Sequence, residues 1–295
     1  RHLPLWDEAE HPRHPSGSSR GGRFREASGG GAGLVSGSSE RWIQTSMVGV
    51  GIDLDEDQMR DVVARGREVG RSPLHGGSIG ETSIVTLEMP GGDRIAVVHN
   101  RQDPDYSDLE VWSSRIGRAI GAPVPTVIHD PDDEDSVYMP YVEGHAALHR
   151  ALSISADTGG DEYTELDGLV VEHGRTRRGA LLGLLDVVLL NSDRHGGNWV
   201  IDQENQVWGI DHTHIRPWDG GGYGEAESYE DFGQMVHQGD SPLTADDIAA
   251  ARAAIQDLVD HRRIPDEWHP AMEERLARLQ RAYEAPPSSF PGGAY

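Results

Sequence analysis

The sequence predicts an α+β fold in which a β-rich half precedes a helical half. Three observations lead there. Short runs with strand alternation fall between 83 and 142, and longer runs with helical spacing dominate from 176 to 283. The regular alternation of strand and helix that marks a doubly wound sheet is absent from this reading.

The elements follow in order. Residues 1–41 are poor in apolar side chains and rich in Gly, Ser and Arg, so they are expected to be disordered. Their wording, His11 to Pro15 followed by Gly21 to Arg25, resembles linkers between modules of phage and mobile-element polyproteins. That resemblance, with Arg rather than Met at position 1, implies a piece of a longer product. Order is expected from Trp42. Residues 55–69 have helical spacing in Met59, Val62, Val63 and Val69, with acidic residues in the first turn. A glycine-rich loop, Gly76 to Thr82, leads into a hairpin of 83–89 and 94–99 around the turn Pro90 to Asp93. Residues 108–120 read as a helix, 124–128 and 136–142 as strands, and 156–167 as a polar loop. A strongly apolar helix spans 176–191, followed by a strand–turn–strand ribbon of 199–201 and 206–210. Leu243 to Asp247 opens a capped helix, and Pro270 opens the last one. The tail from Ala285 is expected to be loose.

Composition limits the function classes. The chain carries a formal net charge of −24 over 295 residues, which opposes nucleic-acid or anionic-membrane partners. It has no cysteine, so no disulfide, thiolate metal site or Cys nucleophile. It has no lysine either: all 26 basic residues are arginine, a bias that GC-rich coding produces. No run is long and apolar enough for a membrane span and no secretory signal opens the sequence, so a cytoplasmic protein is expected.

The chemistry is concentrated in Leu189 to Trp199 and Trp208 to His212. Phosphoryl transfer needs a carboxylate to orient or deprotonate the attacking hydroxyl, and oxygen ligands for Mg²⁺. Asp193 is followed five residues on by Asn198, and Asp211 stands thirteen residues beyond that, directly after a strand. The intervening ribbon would set Asn198 beside Asp211 as hard-oxygen ligands. The plain alternative is three surface polar residues near turns. A second alternative groups His195, Asp211, His212 and His214 as a Zn²⁺ or Fe²⁺ centre of a metallohydrolase, with His212 and His214 on one face of a strand.

Asp193-Arg194-His195 with Asn198 and Ile210-Asp211 resembles the catalytic and metal-binding loops of the phosphatidylinositol 3-/4-kinase-like family, near its actinobacterial and phage members. The resemblance covers about 75–283 and implies a two-lobed protein-kinase-like fold. Its β-rich N-lobe would span 42–144 and its helical C-lobe 145–284, with ATP and Mg²⁺ (or Mn²⁺) between them. It implies Asp193 as catalytic carboxylate, His195 near the transferring phosphate, Arg194 as a loop anchor, and Asn198 and Asp211 as metal ligands. It also implies nucleotide contacts from Gly77, Ser78, Gly80, Glu81 and Thr82 in the phosphate loop and from Met139 and Tyr141 in the hinge. Glu110 would be the helix partner of the family's phosphate-gripping lysine.

That lysine is missing. His99 stands at the matching strand position, and Arg101 lies two residues on, on the same face. The family's Phe-Gly after the metal Asp is replaced by His212-Thr213. The expected function is transfer of the γ-phosphoryl group of ATP to a hydroxyl of a protein or small molecule. An acidic surface disfavours an inositol-lipid acceptor. The alternatives are a pseudokinase serving as an interaction module, an AMP transferase, and the metallohydrolase. Arg175, Arg177 and Arg178 are expected to pair with nearby acids, with docking of an anionic substrate as the alternative.

Overall fold

A computed structural model describes residues 53–74, 81–218 and 231–285. Gly77, Ser78 and Gly80 of the expected phosphate loop lie outside the described residues, as do the expected linker and tail.

The described residues up to Asp105, together with Ile128–Tyr141, form one compact unit. Helix α1 (Glu56–Arg65) begins at a reciprocal capping box: Asp55 accepts from the Gln58 amide, and the Gln58 side chain accepts from that of Asp55. The helix expected to reach Val69 stops at Arg65. A Cβ on Gly66 would lie 2.6 Å from the Val62 carbonyl and 2.8 Å from Leu87 Cβ, so only glycine permits the sharp exit into β1 (Arg67–Pro73). The expected hairpin is present as β2 (Glu81–Glu88) and β3 (Arg94–Arg101). With β4 (Ile128–Asp130) and β5 (Asp133–Pro140) they build an antiparallel sheet of order β1-β2-β3-β5-β4. Register pairs Val85 with Val97 and Leu87 with Ile95. These four bury against Met59 and Val62 of α1, so one face of the sheet carries the core of this unit. The strand expected at 124–128 is confined to Ile128–Asp130. Pro123 and Pro125 have no N–H to give a ladder, and the segment is held instead by Ser114, whose hydroxyl donates to Pro125 O and accepts from Val127 N.

Tyr106–Val127 clusters with Val142 and the residues after it in a second, mainly helical unit. Its elements are α2 (Pro104–Ala119), most of which lies in this unit, β6 (Gly144–Ala146), α3 (Ala147–Thr158), α4 (Glu162–Gly174), α5 (Arg177–Leu189), β7 (Trp199–Asp202) and β8 (Val207–Gly209), then α6 (Asp231–Gln238), α7 (Ala245–Asp260), a 3₁₀ turn (Asp266–Trp268) and α8 (His269–Glu284). The polar loop expected over 156–167 is two helices and a short link. Leu166, Leu169 and Val170 pull α4 into the core, and tertiary burial overrides the Gly/Asp composition. α5 is apolar on all sides and sits at the centre, with Leu182, Leu184, Leu185 and Leu189 fully buried. The expected cap of α7 is present, Thr244 Oγ1 accepting from the Asp247 amide. The α+β prediction therefore holds: a five-stranded antiparallel sheet, then a helical region. Among the described residues no helix is long and apolar enough to cross a membrane.

Candidate active site

The site is built at the C-terminal end of α5. Leu190 turns the chain with φ 51°, and the Asn191 amide donates to Asp186 O at 2.9 Å. Asp186, the one acid in the apolar helix, receives Asn191 Nδ2 at 2.9 Å and Arg194 Nη2 at 3.0 Å. Both members of that ion pair are essentially inaccessible, with side-chain exposures of 0% and 1%. The same guanidinium donates through Nη1 to Asn198 O and to Ile210 O. Arg194 thus ties the turn after α5 to the strand end before Asp211.

Around this anchor the three residues singled out in the sequence converge. Asn198 Nδ2 donates to Asp193 O at 2.8 Å and to Asp193 Oδ2 at 3.2 Å. The β7–β8 ribbon pairs Trp199 with Gly209, and the Ile210 amide donates to Asn198 O at 3.0 Å. Asn198 and Asp211 therefore flank the same end of the ribbon. Asp211 takes a left-handed backbone, φ 55°, and its Oδ1 accepts from Thr213 Oγ1 at 2.8 Å. Although Asp211 is exposed, the protein around its carboxylate raises its pKa, and the charges of Glu110 and Asp193 act in the same direction. Solvent access weakens the burial contribution, and the like charges alone would give this sign.

Histidines complete the surroundings. His214 Nδ1 lies 3.2 Å from Asp193 Oδ2; burial opposes its charge, but the bond to Asp193 prevails and raises its pKa. His195 is half-exposed; its Nδ1 accepts from the Gly197 amide at 2.9 Å, and its Nε2 stands 3.8 Å from Asp193 Oδ1. His212 is buried, and desolvation holds its imidazole down to about 3. Its amide donates to Glu110 Oε1 at 2.8 Å, so Glu110 of α2 fixes the backbone next to Asp211.

Residues 211–216 are not a strand, and the shared face expected for His212 and His214 does not form. His212 meets Glu110, whereas His214 meets Asp193. Among the described residues no group of three or more His, Asp or Glu side chains is placed to hold a metal ion. That corrects the His/Asp metal centre weighed above.

Glu110 carries a pH prediction. Burial pushes its carboxyl up to about 7 from an ordinary 4.5, so the folded protein binds a proton there that the unfolded chain releases. The associated stability is complete below 4.5 and is lost as pH rises through about 7. It amounts to about 3 kcal/mol at the 1.36 kcal/mol of each pKa unit. Glu110→Gln should abolish this loss, seen as a wild-type-minus-variant difference in unfolding free energy between pH 5 and 8. His212 contributes with the opposite sign, because only the unfolded chain protonates it near 6.5. It is common to both proteins, which is why the difference is the quantity to measure. An equal pH slope in both would refute the assignment.

In the first unit His99 and Arg101 share one face of β3, as expected. His99 follows Ile95 and Val97 at spacing two, so it faces the α1 side of the sheet, as does Arg101. His99 Nδ1 accepts from Arg71 Nη1 at 3.1 Å, which leaves Nε2 to donate to Asp130 Oδ2 at 3.2 Å. Arg101 lies 3.5 Å from Asp133. On the opposite face, at the same end of β3, stands Asn100, whose Oδ1 accepts from Thr82 Oγ1 at 2.9 Å. Glu81 is exposed, Met139 is buried opposite Val98, and the Tyr141 amide donates to Ala96 O at 3.1 Å.

Arg177 pairs with Asp247 at 2.7 Å, an acid from a distant helix rather than a local one, and Arg178 lies over the Trp208 ring at 4.6 Å. Sequence reasoning passed over Asp186 as an interruption of an apolar run. A lone acid in such a run, eight residues before an arginine in a polar loop, was the available signal.

No family model matches the chain, and no curated protein sequence matches it. Among solved structures, the chain is similar to a proinflammatory kinase of Helicobacter pylori, CtkA, at 12% sequence identity. The match covers 74% of this chain and 95% of that chain with a TM-score of 0.46.

Proposed function

We propose that this chain is an ATP- and Mg²⁺-dependent phosphotransferase of kinase-like architecture that moves the γ-phosphoryl group to a hydroxyl of a protein or small molecule. The observation that carries the proposal is the single polar network in which Asn198 bonds Asp193 while Arg194 ties Asn198 O to Ile210 O beside Asp211. A surface scatter of polar residues has no reason to share a buried ion pair.

The donor set fits a divalent cation. Asn198 spends Nδ2 on Asp193, which leaves Oδ1 to offer; Asp211 offers a carboxylate whose like-charged neighbours already disfavour its ionisation. Mg²⁺ characteristically takes one or two protein oxygens plus substrate phosphates, so two ligands suffice. When bound, Mg²⁺ would neutralise charge that builds on the phosphates. Asp193 holds Oδ2 against Asn198 and His214, and we assign Oδ1 to the acceptor hydroxyl, whose proton it takes. His195, within 3.8 Å of Oδ1, flanks that position.

A second reading, a nucleotide-binding pseudokinase, is favoured by one observation. His99 and Arg101 stand on the α1 face and pair with Asp130 and Asp133, which supports a site that lacks the family's lysine. One absent cationic donor costs about 10²–10³ in rate, so slow transfer and none at all are both compatible with this arrangement. Incubation with ATP labelled at the γ or the α position decides: γ label in an acceptor supports the kinase, α label an AMP transferase, and no transfer with retained binding the pseudokinase.

Binding itself is tested by melting with ATP, with and without Mg²⁺. At ligand 100-fold above Kd the wild type should gain about 2.7 kcal/mol. Asp211→Asn should remove the Mg²⁺-dependent part. A cooperative melt with no shift for any nucleotide would refute the phosphotransferase and the pseudokinase together.

A further inference from the structure

Of the last carbonyls of α5, two are met by the turn that follows and two by distant segments. Asp186 O receives the Asn191 amide, Val187 O the Leu190 amide, and Leu189 O the Arg216 amide at 3.0 Å. Val188 O is taken by a side chain from the far end of the sequence. Arg275 of α8, only 8% exposed, donates to it through Nε at 3.0 Å and Nη2 at 2.7 Å. The same Nη2 donates to Pro217 O at 2.9 Å. A guanidinium at a helix C-terminus meets both the unsatisfied carbonyls and the negative end of the helix dipole.

The placement gives this fork a consequence beyond capping. Val188 lies just before the turn that carries Asp193, and Pro217 ends the segment that carries Asp211 and His214. The two segments are also joined by the Arg216 amide to Leu189 O and the Ser192 amide to His214 O. Arg194 clamps them at the Asp186 end, and Arg275 at the other. We propose that Arg275 is a positioning residue whose forked bonds keep the loop bearing Asp193 in register with the segment bearing Asp211. Its catalytic meaning rests on the phosphotransferase reading, but its structural claim does not. Neighbouring Met272, Leu276 and Leu279 bury α8 independently of the fork, so an apolar side chain of similar length should keep the helix docked.

The test is hydrogen–deuterium exchange of the full chain, wild type against Arg275→Met and Arg275→Lys, with urea unfolding of each. Arg275→Met should remain cooperatively folded, yet peptides covering 190–198 and 210–217 should exchange at least ten-fold faster, while peptides of α4 and α7 keep their rates. Arg275→Lys, which retains charge but cannot fork, should fall between. Titration with Mn²⁺ and ATP should show at least five-fold weaker metal binding in Arg275→Met. Unchanged exchange in both loops, or a uniform rise across the whole unit that tracks its unfolding free energy, would overturn the proposal. Should Arg275→Met fail to fold, Arg275→Lys decides by the same two criteria. Wild type that binds neither Mn²⁺ nor ATP would refute the phosphotransferase reading while the exchange comparison still judged Arg275.

Discussion

Asp193→Asn should lower phosphoryl transfer about 10²–10⁴-fold while leaving Mg²⁺-dependent nucleotide binding nearly intact. The amide keeps an oxygen that can accept from Asn198 and His214, so the loop has no reason to collapse. What it loses is the basic carboxylate that takes the acceptor's proton. The measurement pairs labelled-ATP transfer with a melt in Mg²⁺ and ATP. Loss of transfer with a retained shift supports the role assigned to Asp193. Full transfer in the variant would remove Asp193 from the chemistry, and loss of both would make its role structural. The missing lysine is common to wild type and variant, so the ratio of their rates isolates the effect of Asp193 even in a slow enzyme.

Arg194→Met should cost about 3–5 kcal/mol of unfolding free energy, the range for removing one partner of a buried ion pair. The Asp186 carboxylate would remain in the core without its cation, and Asn198 O and Ile210 O would lose a donor. Denaturant unfolding followed by tryptophan fluorescence reads it, since Trp199 is buried next to Asn198. Asp186→Asn combined with Arg194→Met should be less destabilising than the sum of the two, because the stranded charge disappears with its partner. A loss under about 1 kcal/mol in Arg194→Met would show that water replaces the guanidinium and that the anchor is dispensable. Strict additivity in the double variant would deny the coupling on which the network depends.

Much of this site was legible because its signals are local. Asn198 and Asp211 are joined by one ribbon, and a ribbon brings its ends together whatever the rest of the fold does; Asp193, five residues before Asn198, accepts from its side chain. The hairpin of β2 and β3 and the cap of α7 were readable for the same reason: period two and a Thr before a helix act within a few residues. The errors arose where distant packing competes with local preference. Gly/Asp-rich 156–167 looked like a loop until Leu166 and its neighbours were given a core to enter. The helix expected to reach Val69 ends at Gly66 because Leu87, on another strand, packs against that spot.

The sequence by itself determined the order of sheet and helix, the absence of lysine and thiol chemistry, and the carboxylate–amide–carboxylate set, all of which depend on residue identity and short-range periodicity. Only the tertiary structure decided that His99 and Arg101 face α1 with acidic partners, that His212 and His214 part company, and that Arg194 and Arg275 clamp two loops from opposite ends. Those outcomes depend on which buried carbonyl or carboxylate, dozens of residues away, would otherwise lack a partner.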